Sequence, residues 1–237
     1  MNVLEINNLN VSYDKEVIFK DLTLKIPNNK MCAIIGPNGA GKSTLFKSIL
    51  GFNNYQQGEI LILGNKLNNI KNKISYVPQK EKVNWLMPIT VFDVVLMGTY
   101  PKLGWFKKPK KNEYQQVDCA LKRLEIYDLK DKQISELSGG QQQRVFLARA
   151  LVQNAEIYFL DEPFTGIDKK SENIIVKLLK ELKKEGKTII IVHHDLNTIK
   201  EYFDYVVMIN RGCIVSGPIN EVFNQDNLNK TYGVINV

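Results

Sequence analysis

The sequence predicts an α/β fold built around a mostly parallel sheet, and three observations predict it. Three short apolar runs, residues 31–35, 157–160 and 188–192, have the length and uniform hydrophobicity of strands buried on both faces. Segments of helical period alternate with them, which is the pattern of βαβ units. The first run leads directly into a glycine-rich turn and then into a helical segment.

Taken in order, residues 1 to 30 read as β-rich. Leu4, Ile6, Leu9, Val11 and Tyr13 fall mostly at alternating positions, and Val17 to Phe19 with Leu22, Leu24 and Ile26 continue the style. Met31 to Ile35 is the first buried strand. Lys42 to Leu50 follows as a helix with Gly51 as its stop. Residues 59–63 and 74–77 are short strand candidates. From about Asn84 to Leu151 the pattern turns helical, and Gly98, Pro101, Gly104 and Pro109 are expected to break it into pieces. Ile157 to Leu160 forms the second buried strand, ending in Asp161-Glu162. Ile174, Ile175, Leu178, Leu179 and Leu182 mark an amphipathic helix closed by Gly186, and Thr188 to Val192 is the third buried strand.

The chain has 237 residues, enough for one domain with an inserted subdomain. It is 44% hydrophobic and 24% charged, the ordinary globular range. No apolar run reaches the roughly 18 to 20 residues of a membrane helix, and Met1 to Ile6 shows neither a basic n-region nor an apolar h-region. A cytosolic protein is expected, unless a partner holds it at a membrane. The net charge of +7 is spread largely as lysines on polar helix faces, such as Lys177, Lys180, Lys183 and Lys184. The one concentrated basic tract is Lys107, Lys108, Lys110 and Lys111, read either as a solvated loop or as a neighbour of anionic lipid. Cys32, Cys119 and Cys213 form no CxxC pair and no zinc spacing, so reduced, buried thiols are expected.

Three motifs carry chemistry. Gly36-Pro37-Asn38-Gly39-Ala40-Gly41-Lys42-Ser43-Thr44 meets GxxxxGK[ST] in full, with a strand before it and a helix after. Glycines let the backbone curl until successive N–H groups face one centre, and those amides with the helix N-terminus bind phosphate oxygens. Lys42 is expected to reach the β- and γ-phosphates, and the Ser43 hydroxyl to ligate Mg²⁺. Asp161 ends a buried strand where a carboxylate can hold Mg²⁺ through water, and Glu162 can orient and deprotonate an attacking water. The third motif, Leu137-Ser138-Gly139-Gly140-Gln141, precedes a helical run, so Ser138, Gly139 and Gly140 stand at a second helix N-terminus able to receive phosphate. Two such helix ends and one nucleotide invite a dimer.

With these residues in place, the chain resembles the ATP-binding subunit of an ABC transporter over essentially its whole length. The resemblance implies a P-loop NTPase fold with an antiparallel N-terminal β-subdomain and an inserted helical subdomain at about 84–151, all one ABC ATPase domain spanning 1–237. It implies that Tyr13 stacks on adenine, that Gln79 senses Mg²⁺ and the γ-phosphate, that Leu137 to Gln141 form the signature motif, and that Asp168 is the D-loop aspartate. His193 and His194 are not distinguished by chemistry; similarity to the family's His-Asp pair selects His194 as the switch histidine. It further implies that two copies pack head to tail, with the phosphate loop of one facing the Ser138 helix end of the other across ATP. Glu162 would then be the general base, and His194 would hold the γ-phosphate and attacking water. The helical stretch after Gln79 would transmit motion to a membrane partner.

Residues 83 to 108 and the stretch Glu162-Pro163-Phe164-Thr165-Gly166-Ile167-Asp168 are similar to the branch that imports manganese, zinc or iron. Siderophore and haem importers are close relatives of that branch. The implied partners are a second ATPase subunit, an integral-membrane permease and, indirectly, an extracellular metal-binding protein, placing the chain at the cytoplasmic side of the cell membrane. The cofactors are ATP and Mg²⁺ only, since the chain offers two adjacent histidines and no ligand cluster for the transported metal. Trp85, Met87 and Trp105 either fill the helical subdomain or line a groove for a permease helix. A soluble ABC ATPase acting on nucleic acid or ribosomes is the rival reading. The segment from Ser43 to Ser138 carries no sustained heptads for a long coiled coil, and one phosphate loop stands where ribosome-binding relatives have two. No nucleic-acid partner is therefore expected. An ordinary P-loop kinase or GTPase leaves Leu137 to Gln141 without a role.

Overall fold

The computed structural model describes residues 1–13, 16–80, 88–103 and 107–233. Trp85, Met87, Gly104 and Trp105 lie outside the described residues, as does the side chain of Tyr13. In chain order the elements begin β1 (Asn2–Tyr13), β2 (Glu16–Pro27), β3 (Met31–Ile35), α1 (Lys42–Ile49), β4 (Gln57–Ile62) and β5 (Ile74–Val77). There follow α2 (Val91–Leu96), α3 (Tyr100–Leu103), α4 (Lys111–Arg123), α5 (Gly139–Val152), β6 (Ile157–Asp161) and α6 (Lys169–Lys184). The chain closes with β7 (Thr188–Val192), α7 (Ile199–Tyr202), β8 (Tyr205–Ile209), β9 (Cys213–Pro218), α8 (Ile219–Val222) and α9 (Gln225–Tyr232). They fall into two compact units, one made of Met1–Lys71 with Thr188–Val237, the other of Asn72–Lys187.

The first unit holds an antiparallel sheet in the order β2-β1-β4 and a second group in which β7, β3 and β8 run parallel, with β9 antiparallel to β8. All five residues of β3 and of β7 are buried, as their unbroken apolar sequences require. In β1 the alternation is interrupted: Ile6 and Leu9 are both buried because the register slips between them, where Asn8 adopts φ 49°. The Thr23 hydroxyl receives the Asn8 N–H at 3.1 Å.

The second unit pairs β5 with β6 in parallel and surrounds them with α2 to α6. Its α5 is buried almost all round, so its polar residues need partners: Gln142 Nε2 donates to Ile134 O at 3.2 Å, and Arg144 Nη1 to Leu124 O and Glu125 O at 3.1 and 3.2 Å. Burial pushes the Arg144 guanidinium pKa down, partly offset by Asp168 and Glu125.

Gly98 falls where expected, in the tight turn Met97–Thr99 that separates α2 from α3, and it is also a close-approach residue: a Cβ there would strike Arg149 O and Val152 Cγ2 of α5. Two expectations are corrected here. Pro101 sits inside the first turn of α3, where the missing N–H costs nothing. The thiols are not uniformly buried: Cys32 is, and burial raises its pKa strongly, but Cys213 is half-buried and Cys119 on α4 is exposed. Lys107, Lys108, Lys110 and Lys111 are all exposed. Among the described residues no helix is long and apolar enough to cross a membrane.

Candidate functional site: two helix N-termini and an acidic strand end

In the first unit, β3 delivers the chain at Ile35 into the loop Gly36 to Gly41, and α1 starts at Lys42. Gly41 is the N-cap of α1 in the left-handed conformation at φ 97°, with the Phe19 ring packed on its Cα side, so glycine is required on two counts. It brings no side-chain cap, and no acidic residue occupies the first turn. The amides of that turn therefore meet no anion of the helix's own, the arrangement that suits phosphate. Lys42 is only 6% exposed, and its Nζ donates to Gly36 O and Pro37 O at 2.8 Å each. Ser43 is exposed on the same turn.

Beyond β7 the two histidines separate. His193 is 5% exposed, with Nε2 2.8 Å from Thr198 Oγ1 and its ring 5.2 Å from that of Phe203. It is part of the packing. His194 is exposed to solvent at the strand's end. Tyr13 ends β1.

In the second unit, β5 leads through Pro78 to Gln79, and β6 ends at Asp161. Asp161 is 2% exposed, a buried carboxylate at a strand terminus. Glu162 follows with a left-handed φ of 52°, a conformation a glutamate seldom adopts. Its Oε2 accepts from Gln79 Nε2 at 2.9 Å and from Thr165 Oγ1 at 3.4 Å.

The signature segment forms a complete capping box. Ser138 caps α5, its Oγ accepting the Gln141 N–H at 3.4 Å, while Gln141 Oε1 accepts the Ser138 N–H at 2.9 Å. Gly140 lies against a second helix start. A Cβ there would collide with Ser171 Oγ and Asp168 Oδ2. Asp168 caps α6, accepting the Ser171 N–H at 2.9 Å and the Ser171 hydroxyl at 2.7 Å, and these bonds hold its carboxyl below the usual range. Gly139 faces Lys80 Nζ and Gly166 O.

Two residues of this arrangement were not singled out in the sequence. Ser171 is one, although its place three residues after Asp168 is the N3 position of the helix Asp168 caps. Tyr76 is the other. Its phenol hydrogen-bonds Asp161, and burial together with that carboxylate pushes its pKa up to about 12. No local pattern announces this contact, because it depends on the pairing of β5 with β6, where Tyr76 is opposite Phe159.

Thus Gly36 to Thr44 and His194 stand on the first unit, and Gln79, Ser138 to Gln141, Asp161, Glu162 and Asp168 on the second. Ser43, Gln79 and Asp161 offer hard oxygen donors, the set Mg²⁺ prefers, with no thiolate or imidazole among them. Among the described residues no group of three or more His, Cys, Asp or Glu side chains could hold a metal by itself. Each of Ser43, Gln79 and Asp161 is thus a donor type suited to a Mg²⁺ that brings phosphate oxygens of its own.

Known proteins are similar to this chain. The family profile described as ABC transporter matches residues 19–165. The manganese transport system ATP-binding protein MntB of Bacillus subtilis (strain 168) is 49% identical over 230 residues, covering 97% of this chain and 92% of that one. The zinc transport system ATP-binding protein TroB of Treponema pallidum (strain Nichols) is 46% identical, covering 97% and 86%. Among solved structures, cbiO1 from Clostridium perfringens, part of the ABC transporter complex cbiONQ, superposes with a TM-score of 0.81 at 32% identity, covering 97% of this chain and 93% of that one.

Proposed function

The chain belongs to the ABC transporter family of ATP-binding ATPases, and from that premise we propose that it energises a membrane importer for a transition metal ion. The observation that carries the metal is the near-full-length likeness to MntB and TroB, whose names assign manganese to one and zinc to the other. The substrate class is thus a divalent transition metal, bound by other components of the system.

The whole chain serves as one ATPase domain, with a helical subdomain at about 84–151. The amides of Gly36 to Thr44 and the Lys42 ammonium bind the phosphates of ATP, and Tyr13 stacks on adenine. When bound, Mg²⁺ neutralises charge on the phosphate oxygens. Ser43, Gln79 and Asp161 would hold it. Glu162 takes the proton of the attacking water, and His194 fixes the γ-phosphate.

Two copies act as a homodimer. The α5 N-terminus of one, at Ser138 to Gln141, meets the γ-phosphate held by the phosphate loop of the other, with Asp168 beside it. ATP then favours the closed pair and hydrolysis releases it. The pair docks on the cytoplasmic face of an integral-membrane permease, which receives metal from an extracellular binding protein. No nucleic acid takes part.

The test is reconstitution. The chain co-expressed with a candidate metal-importer permease should co-purify with it and drive ATP-dependent uptake of Mn²⁺ or Zn²⁺ into vesicles. Recovery with RNA or DNA and no membrane protein would overturn the importer reading.

A further inference from the structure

The phosphate loop rests on the C-terminal part of the chain. Ile209 O, the last residue of β8, lies so close to Gly36 that no Cβ would fit between them. Two residues on, Arg211 turns the β8–β9 hairpin at φ 55° and its N–H donates to Ala40 O at 3.1 Å. The start of the loop and Ala40 are thus both set by the end of β8 and the turn that follows it, Ile209 to Gly212.

That turn is in turn tied to α9. Asn210 Nδ2 donates to Thr231 O at 3.0 Å, capping a carbonyl in the last turn of the helix, where no intrahelical partner exists. Thr231 is fully buried, and its hydroxyl holds Asn227 O at 2.7 Å and contacts Met208 Sδ of β8 at 3.6 Å. The next residue, Tyr232, is half-buried; burial pushes its phenol pKa up to about 12, and the nearby Gly36 backbone offsets part of that rise. Two short routes therefore join α9 to the loop, one through the Tyr232 phenol near Gly36 and one through Asn210 and the hairpin.

We propose that α9 is a positioning element for nucleotide binding, with Tyr232 and Asn210 as the positioning residues that hold Gly36 and Ala40 in register with the α1 N-terminus. Neither residue touches ATP. Their effect is on the geometry of the loop amides, which must converge on one centre to bind phosphate. Loss of either link lets the loop sample conformations that bind poorly, and the apparent affinity falls by the fraction of time spent there.

The inference rests on the assignment of Gly36 to Thr44 as the nucleotide cradle, and the experiment separates the two. Full-length wild type, Lys42→Ala, Tyr232→Phe and Asn210→Ala are titrated with trinitrophenyl-ATP and with ATP in competition, alongside thermal melting and steady-state kinetics. Tyr232→Phe and Asn210→Ala should each raise the Kd and KM for ATP by about three- to tenfold, the range for one lost polar link. Their kcat at saturating ATP should stay within about twofold of wild type, since the base and water sites are untouched. A purely structural part for α9 would lower the melting temperature and leave Kd and KM alone. Tyr232→Phe at wild-type affinity removes Tyr232 from this role, and Asn210→Ala at wild-type affinity removes Asn210. Failure of wild type to bind ATP, or binding by Lys42→Ala equal to wild type, overturns the cradle assignment instead.

Discussion

Gln79 donates its side-chain N–H to the Glu162 carboxylate at 2.9 Å, linking the end of β5 to the residue just past β6. The carboxylate keeps acceptor capacity, because each ionised oxygen carries two lone pairs. Gln79 therefore orients Glu162 without consuming its ability to accept a proton.

Glu162→Gln should keep ATP binding and lower hydrolysis by at least about a hundredfold, the usual contribution of a general base. Phosphate release and nucleotide titration measure the two separately. A wild-type hydrolysis rate in this variant would remove Glu162 from the chemistry.

The two signature glycines should respond unequally to a methyl group. In Gly139→Ala the new Cβ meets the end of the flexible Lys80 side chain, which can swing away, whereas in Gly140→Ala it meets Ser171 and Asp168, which are bonded to each other at 2.7 Å. Gly140→Ala should reduce hydrolysis by about tenfold or more while Gly139→Ala costs about threefold or less, a gap of roughly 0.7 kcal/mol or more. ATP affinity of the isolated chain should be unchanged in both. Equal losses would mean that the Ser171–Asp168 contact does not matter.

Gly98→Ala is a stability test remote from the chemistry. Its methyl would press on the backbone carbonyl of Arg149, which cannot rotate out of the way. Overpacking of this kind costs about 1–3 kcal/mol, a fall of about 2–12 °C in melting temperature for a chain of this size. An unchanged melting temperature would show that α5 can shift to make room.

Tyr76→Phe should weaken Mg²⁺ use more than it slows catalysis. The phenol holds the Asp161 carboxylate from the neighbouring strand, and removing such an outer partner typically costs about tenfold or more in metal affinity. Titrating Mg²⁺ into the ATP complex and reading nucleotide affinity would reveal the shift. An identical Mg²⁺ midpoint in both proteins would place the phenol outside the metal's support.

What was legible in the sequence was what one segment decides alone. The strand, loop and helix from Met31 to Ile49 follow from an apolar run, a glycine pattern and a helical period, and their boundaries agree to a residue. The Gly186 stop after α6 is equally local. What could not be read depends on neighbours distant in the chain. Gly98 was legible as a break between α2 and α3, but its close approach to Arg149 of α5 was not. In α6, Val176 is buried while Ile174 is only half so; two residues apart, they lie about 160° apart around the helix axis, and the apolar pattern alone did not show that the buried face reaches Val176. The Tyr76–Asp161 bond requires the β5–β6 register, and the links from α9 to the phosphate loop span nearly the whole chain.

The Lys42 ammonium has a consequence for what the loop accepts. It already satisfies two carbonyl oxygens, those of Gly36 and Pro37, at 2.8 Å. An arriving ligand must compete with those dipoles, so binding is an exchange whose gain is the difference between two sets of hydrogen bonds. A lone weak anion offers the ammonium little over two well-placed carbonyls, while a polyphosphate offers several charged oxygens at once. The loop thus sets a charge threshold for entry, written into its own backbone.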